Sequence, residues 1–569
     1  MSYSVLFRFK FCVDNFIETK HATRTNIVLA LSTGILFGCS FPPIPLGSLA
    51  CISLVPLLLL IERLRSLRRQ FLYSYLSFFV ASCIALYWVG GFTHAKDPFL
   101  MLAGGLVLVW EPFFFSVIVL SYLVVRKSFG LNAGLVALPF IWITFEWLYA
   151  LGEFAFPWLT LGNTQTYVLG RIQFAEFTGV YGISLWLLII NVLFFILLMN
   201  VMREKERMSL KVNLLTTVAI AVVYLLPSLY GLTIDEKRFS SSENSSLRVG
   251  IVQPNIDPWG KWEGASTLAG REKQVQQFLE MTGKQREAGV QLSVWPETAV
   301  LFDLPMMRDE CEKVKRVLDS LGTSLLSGYI DYKYYEAGKA PVTSSVIRGT
   351  NVHYDSYNSI LYLEPKNERV QSYGKMRLVP FAERIPYAES IPFLIEPLRW
   401  GVGISNWGIG KDSTVFEDSS HQTKFLAMVC YESIFPEFVS SFVKRGAEFI
   451  VFITNDSWWG NTSGARQHCQ FAVLRAIENR RWVVRCANGG ISCFIDPYGR
   501  MYDKTHMYTE ASITRMIEPR TEQTFYTEHG DWLPRIAGII SAFIIAGSFV
   551  QFLFLRITTK RNRQHYDIH

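Results

Sequence analysis

KFLAMVCYES, residues 424–433, decides the fold. The unbroken apolar run Phe425–Val429 leads straight to Cys430, and the polar residues Glu432 and Ser433 follow within three positions. A short apolar run bounded in this way reads as a strand buried on both faces. The end of such a strand is where an α/β domain presents its chemistry. Two further stretches share the build. VWPETA (294–299) sets Glu297 just past a strand-like run, and YGKMRLVPFAERIP (373–386) sets Lys375 after another, with Glu383 beyond it. One domain thus offers a base, a cation and a thiol at three strand ends.

Outward from these stretches, strands and helices alternate. Strands are expected at 248–253, 291–295, 324–329, 358–363, 424–430, 448–453, 482–487 and 491–495, and helices at 267–288, 307–321, 435–445 and 466–480. About 300 residues of this kind bury one α/β core.

The rest of the chain is of another class. The 569 residues are 50% hydrophobic, with a mean hydropathy of +0.23; that is too apolar for an ordinary soluble enzyme. Apolar runs of spanning length are expected as helices at 26–41, 47–62, 72–92, 99–125, 132–151, 177–200, 213–232 and 533–555. A cleaved signal peptide does not fit, because a second apolar segment follows the first directly after FPPIPL (41–46). Eighteen Lys and Arg flank one set of helix ends, among them Arg63, Arg65, Arg68 and Arg69, whereas the opposite short loops carry only Lys96 and Arg171. The basic side faces the cytoplasm by the positive-inside rule. The expected organisation is a cytoplasmic extension (1–25), a membrane domain of about seven helices (26–232), an outward-facing α/β domain (233–532) that opens on a polar linker (233–247), a final helix (533–556) and a cytoplasmic basic tail (557–569). The net charge of +7 is therefore a topology signal. No basic recognition helix or RNA-binding motif accompanies it, which excludes nucleic acid as the partner.

The nine cysteines include no CxxC pair, which argues against a zinc cluster or a thioredoxin-like motif. Five lie in the outer domain, so at least one is unpaired. Glu111 and Glu146 are carboxylates inside expected spans. Glu111 fits a hydrogen-bonded helix end. Glu146 opens the aromatic-rich FEWLYALGEFAFPWLTLG (145–162) beneath the outer domain.

None of the three stretches is decisive alone. A Glu after Pro also begins turns, and a buried Cys is more often structural than reactive. Their combination is chemically coherent. The thiolate is the attacking species, a carboxylate within reach takes its proton, and an ammonium with the backbone N–H of Tyr431 stabilises a tetrahedral oxyanion. A thiol nucleophile held against a bilayer suggests acyl chemistry on lipid.

The Glu–Lys–Cys series resembles the nitrilase superfamily. With the flanking helices and the wording of the motifs, nearly the whole chain resembles the apolipoprotein N-acyltransferases. VQPNIDPWGKWE (252–263), YNSI (357–360), TNDSWWG (454–460), RQHCQFAVLRAIENRRWVVRCANGGIS (466–492), FIDPYG (494–499), FEW (145–147) and FPW (156–158) carry the likeness. The resemblance implies an αββα sandwich standing on eight helices. It implies Glu297 as general base, Lys375 as oxyanion-side cation and Cys430 as nucleophile, with Glu383, Tyr431 and Glu432 in support. Trp262 matches a tryptophan on a loop over the site, and Trp458 and Trp459 match aromatics near the site and the membrane. Glu146, Phe156 and Trp158 join them as substrate- or membrane-facing candidates, and a lipid access gap is expected near Phe156, Pro157 and Trp158. Ala382, Trp459 and Gly489 depart from the pattern without removing a catalytic group. The implied reaction moves an acyl chain from a phospholipid to Cys430, then to the α-amine of a diacylglyceryl-modified N-terminal cysteine of an apolipoprotein, in a bacterial inner membrane, with no metal or cofactor. The helix count points to a self-sufficient monomer. A membrane-anchored amidase or nitrile hydrolase would share the triad but use water. A transporter or scaffold with a decayed domain would show damaged catalytic positions, and here all three are intact.

Overall fold

The computed structural model describes residues 20–91, 98–202, 210–234, 246–264, 267–336, 338–347, 349–395 and 407–566. Most of the expected extension 1–25, Lys96, the basic residues 203–207, most of the linker 233–247 and the end of the tail 557–569 lie outside them.

Helices α1 (Lys20–Gly38), α2 (Val55–Arg63), α3 (Leu67–Ala85), α4 (Pro98–Phe129), α5 (Leu131–Tyr149), the short α6 (Leu169–Ile172), α7 (Ala175–Met202) and α8 (Leu210–Leu232) build a bundle. Helices α4, α5, α7, α8 and the final helix of the chain are each long and apolar enough to cross a bilayer. Helices α1 and α3, at 19 residues each, reach about 28 Å and pack on one another. Many of the bundle's exposed side chains are large and apolar, such as Leu106, Trp110, Leu226 and Phe549. A helix surface of this kind faces lipid.

The expected span 47–62 is not one continuous helix. A 3-10 turn (Gly47–Cys51) precedes α2, whose nine residues cover only about 14 Å. Pro56 contributes no N–H there, and Asn191 of α7 supplies partners to the broken backbone. Its Nδ2 donates to the Ala50 carbonyl (2.7 Å) and its Oδ1 accepts from the Leu54 N–H (2.8 Å). Irregular backbone at membrane depth persists where protein groups satisfy it in this way. The chain still returns through this segment. Gln467 Nε2 donates to the carbonyls of both Pro42 and Ala85, so α1 and α3 end at the same level, the one on which the α/β domain stands.

The α/β half has two sheets. The first runs β13 (Ala511–Ile517), β1 (Leu247–Gln253), β2 (Leu292–Val294), β3 (Ser324–Tyr335), β5 (His353–Leu363), β4 (Ser345–Val346), with β6 (Val370–Gly374) also on β5. The second runs β12 (Met501–Tyr502), β11 (Cys493–Ile495), β10 (Val483–Ala487), β9 (Phe449–Thr454), β8 (Thr423–Val429), β7 (Phe416–Asp418). Period-two alternation sorts their faces. Val249, Ile251, Leu326, Ile360 and Tyr362 point into the core shared with the second sheet. Val252, Leu325, Leu361 and Leu363 point to the other side, where Phe278 of α10 (Leu268–Gly283) and Val314 of α11 (Arg308–Leu321) meet them. Helices α12 (Pro436–Lys444) and α13 (Ser463–Asn479) cover the second sheet. The result is the αββα sandwich, completed by the short α9 (Gly260–Gly264) and α14 (Phe525–His529) before α15 (Trp532–Tyr566) rejoins the bundle against α4 and α5.

Strand β13 was not expected. Its sequence, ASITRMI, mixes polar and apolar residues at the sheet edge, and its pairing with β1 is antiparallel. Such edge strands lack the apolar run that marks a buried one.

Candidate active site

Each catalytic candidate follows a strand. Glu297 lies past β2, on a turn where Thr298 adopts φ +47°. The turn presses on Gly328 of β3, where a Cβ would stand 2.5 Å from the Thr298 nitrogen and 2.6 Å from the Pro296 oxygen, so only glycine fits beneath it. Lys375 directly follows β6, and its N–H donates to the Asn358 carbonyl (2.9 Å). Cys430 follows β8 as the first residue of a 3-10 turn (Cys430–Ile434). It holds φ +52°, a conformation costly for a side chain with a Cβ and concentrated at functional sites.

These side chains converge. Lys375 Nζ lies 2.7 Å from Glu383 Oε1 and 3.5 Å from Glu297 Oε1. Asn358 Nδ2 donates to Glu297 Oε1 (2.7 Å) and to Glu383 Oε1 (3.3 Å). The second Glu383 oxygen accepts from the Val379 N–H. Burial opposes the charge on Lys375, but Glu383 and Glu297 outweigh it and hold the ammonium above the usual lysine range. Burial pushes the Cys430 thiol up, the Glu297 charge pushes it further, and Lys375 opposes both. The resting thiol is therefore protonated, in the field of both the Glu297 carboxylate and the Lys375 ammonium.

Glu432 and Tyr431 have structural work that the sequence alone did not reveal. Glu432 is fully buried. Its Oε1 accepts from the Tyr373 hydroxyl (2.6 Å) and from the N–H groups of Met376 (2.7 Å) and Arg377 (3.1 Å), while Oε2 accepts from the Val429 N–H (2.8 Å). One carboxylate thus ties the Cys430 turn to the Lys375 loop. The Tyr431 hydroxyl donates to the Ala155 carbonyl of the bundle (2.6 Å).

The aromatic candidates spread around this centre. Trp262 packs against Leu301, Ile330 and Trp407. Trp458 meets Trp259 edge-on at 5.1 Å. Trp459 lies against Trp88 (4.8 Å), Trp158 (5.8 Å) and His468 (5.7 Å). Phe156 stacks on Trp158 and Tyr431. Pro157 and Trp158 are buried, and the crevice at this level opens beside Gly152, Glu153 and Ala155. Glu146 stays within the bundle, where Oε1 accepts from the Trp142 indole and the Leu161 N–H. Glu111 accepts from the Tyr149 hydroxyl.

Three groups of polar residues escaped the sequence reading, although the quoted motifs contain them. Asn358, in YNSI, bridges the two glutamates. Lys261, in VQPNIDPWGKWE, is buried and donates to the Thr298 hydroxyl (2.9 Å) and the Glu297 carbonyl (3.3 Å). Burial lowers its ammonium to about 7 against the pull of Glu297. Behind Cys430, His468 Nε2 lies 2.8 Å from Ser433 Oγ and 3.1 Å from the Cys430 carbonyl, and its Nδ1 lies 2.8 Å from Asp456 Oδ1. Arg485 pairs with Asp456 at 2.9 Å. Burial raises Asp456, but Arg485 and His468 reverse this and hold it at about 2. A polar residue inside a strand or helix has no sequence signature of its own, so only contact reveals these groups.

Residues 33–193 match the family model described as the apolipoprotein N-acyltransferase N-terminal domain, and residues 248–525 match carbon–nitrogen hydrolase. The apolipoprotein N-acyltransferase of Chlorobaculum tepidum is 38% identical over 90% of this chain and 95% of its own. That of Geobacter metallireducens is 30% identical over 89% and 92%. An amidase from Nesterenkonia sp., of known structure, is similar to 51% of this chain and 98% of its own, with a TM-score of 0.34 and 14% identity. By its length-spanning relatives and by both halves of its sequence, the chain belongs to the apolipoprotein N-acyltransferase family.

Proposed function

We propose that this chain transfers a fatty acyl group from a membrane phospholipid, through a Cys430 thioester, to the α-amine of the diacylglyceryl-modified N-terminal cysteine of an apolipoprotein. The observation that carries the proposal is the meeting of Glu297, Lys375 and the thiol turn at the face that rests on the apolar bundle, where Tyr431, next to the nucleophile, bonds Ala155.

The chemistry divides into two balanced halves. As Cys430 Sγ attacks the ester carbonyl, its proton passes to Glu297. The oxyanion that forms takes stabilisation from the Lys375 ammonium and the Tyr431 N–H; one such donor is worth about 3–4 kcal/mol of barrier. Collapse breaks the ester C–O bond, and the leaving alkoxide takes the proton from Glu297 and departs as lysophospholipid. In the second half the acceptor amine attacks the thioester and gives a proton to Glu297. The C–S bond breaks, an amide remains, and the thiol recovers its proton. Water exclusion favours transfer over hydrolysis, and Cys430 is only 7% exposed. Glu383 and Asn358 keep Lys375 and Glu297 aligned. Trp262, Trp458 and Trp459 act as aromatic walls, and Phe156 and Trp158 brace the nucleophile from the bundle. The chain acts as a monomer, with its catalytic half on the outer side of a bacterial inner membrane and both termini in the cytoplasm; the one-sided distribution of basic residues supports this orientation.

The test is intact-protein mass spectrometry after incubation with phospholipid, beside Cys430→Ser. A fatty-acyl increment that hydroxylamine removes, present only in the wild type, is the expected result. A folded wild type that gains no acyl group from accessible phospholipid would overturn the proposal.

A further inference from the structure

Two crevices lie where the outer end of α5 meets the α/β half, and both are lined by Arg377 and Phe435. One continues to Tyr431, next to the nucleophile, and to Glu153 and Ala155 of the bundle. The other continues to Leu151, Glu437 and Asp531.

The other charged side chains along these crevices already have hydrogen-bond or ion-pair partners. Glu153 accepts the Tyr387 N–H (2.7 Å). Asp531 accepts the Tyr526 hydroxyl (2.6 Å). Glu437 pairs with Arg535, and Arg384 pairs with Glu389 (3.0 Å). Arg377 is half-buried, and its guanidinium lies over the rings of Phe435 (5.5 Å) and Phe438 (5.6 Å). Among the described residues it has no carboxylate partner. Contact with a ring face leaves the edge of the guanidinium, with its N–H donors, free for an anion.

Its backbone is held as firmly as its side chain is available. The Arg377 and Met376 N–H groups both donate to Glu432, the residue that also holds the Val429 N–H just before Cys430. The Arg377 backbone is therefore tied to the turn that carries the nucleophile, and its side chain lines both crevices at the end of α5. A glycerophospholipid whose ester carbonyl is attacked at Cys430 carries a phosphodiester only a few bonds from that carbonyl, and the Arg377 crevice runs to Tyr431, the residue after Cys430. Arginine is the side chain best suited to that group, because its planar fork meets two phosphate oxygens at once.

We infer that Arg377 binds the phosphodiester of the acyl-donor phospholipid and seats the donor for attack by Cys430. The inference rests on the acyl-transfer reading above. The diacylglyceryl acceptor has no phosphate, so Arg377 serves the first half-reaction and not the second.

The experiment uses the full-length protein in detergent micelles and follows the acyl-thioester by mass spectrometry. Wild type, Arg377→Gln and Arg377→Lys are loaded from phosphatidylglycerol and, separately, from p-nitrophenyl palmitate, which has no phosphate. Arg377→Gln should load from phosphatidylglycerol roughly 10- to 100-fold more slowly, the loss typical of a charge-assisted hydrogen bond. It should load from the nitrophenyl ester within about twofold of wild type. Arg377→Lys should fall between, because an ammonium keeps the charge but not the fork. Transfer from a preformed thioester to a diacylglyceryl peptide should be unchanged. Equal losses with both donors, or no loss with either, would overturn the inference. Strong inhibition of wild-type loading by inorganic phosphate would make this a free-anion site and overturn it as well. A wild type that loads from the nitrophenyl ester but from no phospholipid would mark the failure of the underlying reading.

Discussion

At Cys430 the environment works against the thiolate. Burial and Glu297 raise the thiol, and Lys375 only partly offsets them. The proton must therefore leave during attack, toward a carboxylate already held by Asn358 and Lys375. The sign of the pH dependence follows. A raised thiol stays neutral at low and neutral pH, and its thiolate fraction grows as pH rises. Alkylation of Cys430 by iodoacetamide should accelerate roughly tenfold per pH unit from about pH 6 to 9 without levelling off. Site-resolved mass spectrometry reads this directly, and a plateau near pH 8 would show an ordinary thiol. Cys430, Glu297 and Lys375 were legible in the sequence because each ends or follows an apolar run. Their partners were not. Asn358 sits inside β5 and His468 inside α13, where one polar residue looks like any other. What distinguishes them is burial beside a charge, which arises only when elements distant in sequence meet.

Among the elements, α13 connects the membrane to the chemistry. Its consecutive residues Gln467 and His468 reach opposite ways. His468 approaches the Cys430 carbonyl. Gln467 Oε1 accepts from the indoles of Trp88 (3.0 Å) and Trp158 (2.8 Å), and Nε2 donates to Pro42 and Ala85. One buried amide thus gathers three separate parts of the bundle under the catalytic half. Gln467→Leu keeps the volume and removes every one of those bonds, leaving the Trp158 N–H and the Pro42 carbonyl without this partner. Each group so stranded costs about 1–3 kcal/mol. The melting temperature in detergent should fall by roughly 2–5 °C, and an unchanged value would show that the two halves do not depend on this amide. The helix itself was legible within about three residues at each end. Its role was not, because helical periodicity reports which face is apolar and not what that face meets. The broken segment 47–63 was hidden for a related reason: the partners of its backbone come from Asn191, far along the chain.

At the scale of the molecule, one apolar core runs from the bundle into the sandwich, and buried pairs cross between them. Arg480 lies 2.9 Å from Glu176 of α7, and Glu478 accepts the Val180 N–H. The two halves therefore share one orientation, and fixing the side of either fixes both. The levels of α1 and α3 preserve the alternation of crossings despite the broken second segment, so the basic loops and the α/β half should lie on opposite sides of the membrane. Two introduced-cysteine reporters test this. Lys339 is 75% exposed on the α/β half, and Ser66 is exposed in the short loop between α2 and α3. The described native cysteines are buried or half-buried, so background labelling is low. A membrane-impermeant maleimide applied to bacterial spheroplasts should label Lys339→Cys at once and Ser66→Cys only after permeabilisation. The reverse pattern would place the Cys430 centre in the cytoplasm and overturn the proposed orientation. Labelling of both reporters without permeabilisation would break the alternation and show that segment 47–63 does not carry the chain across.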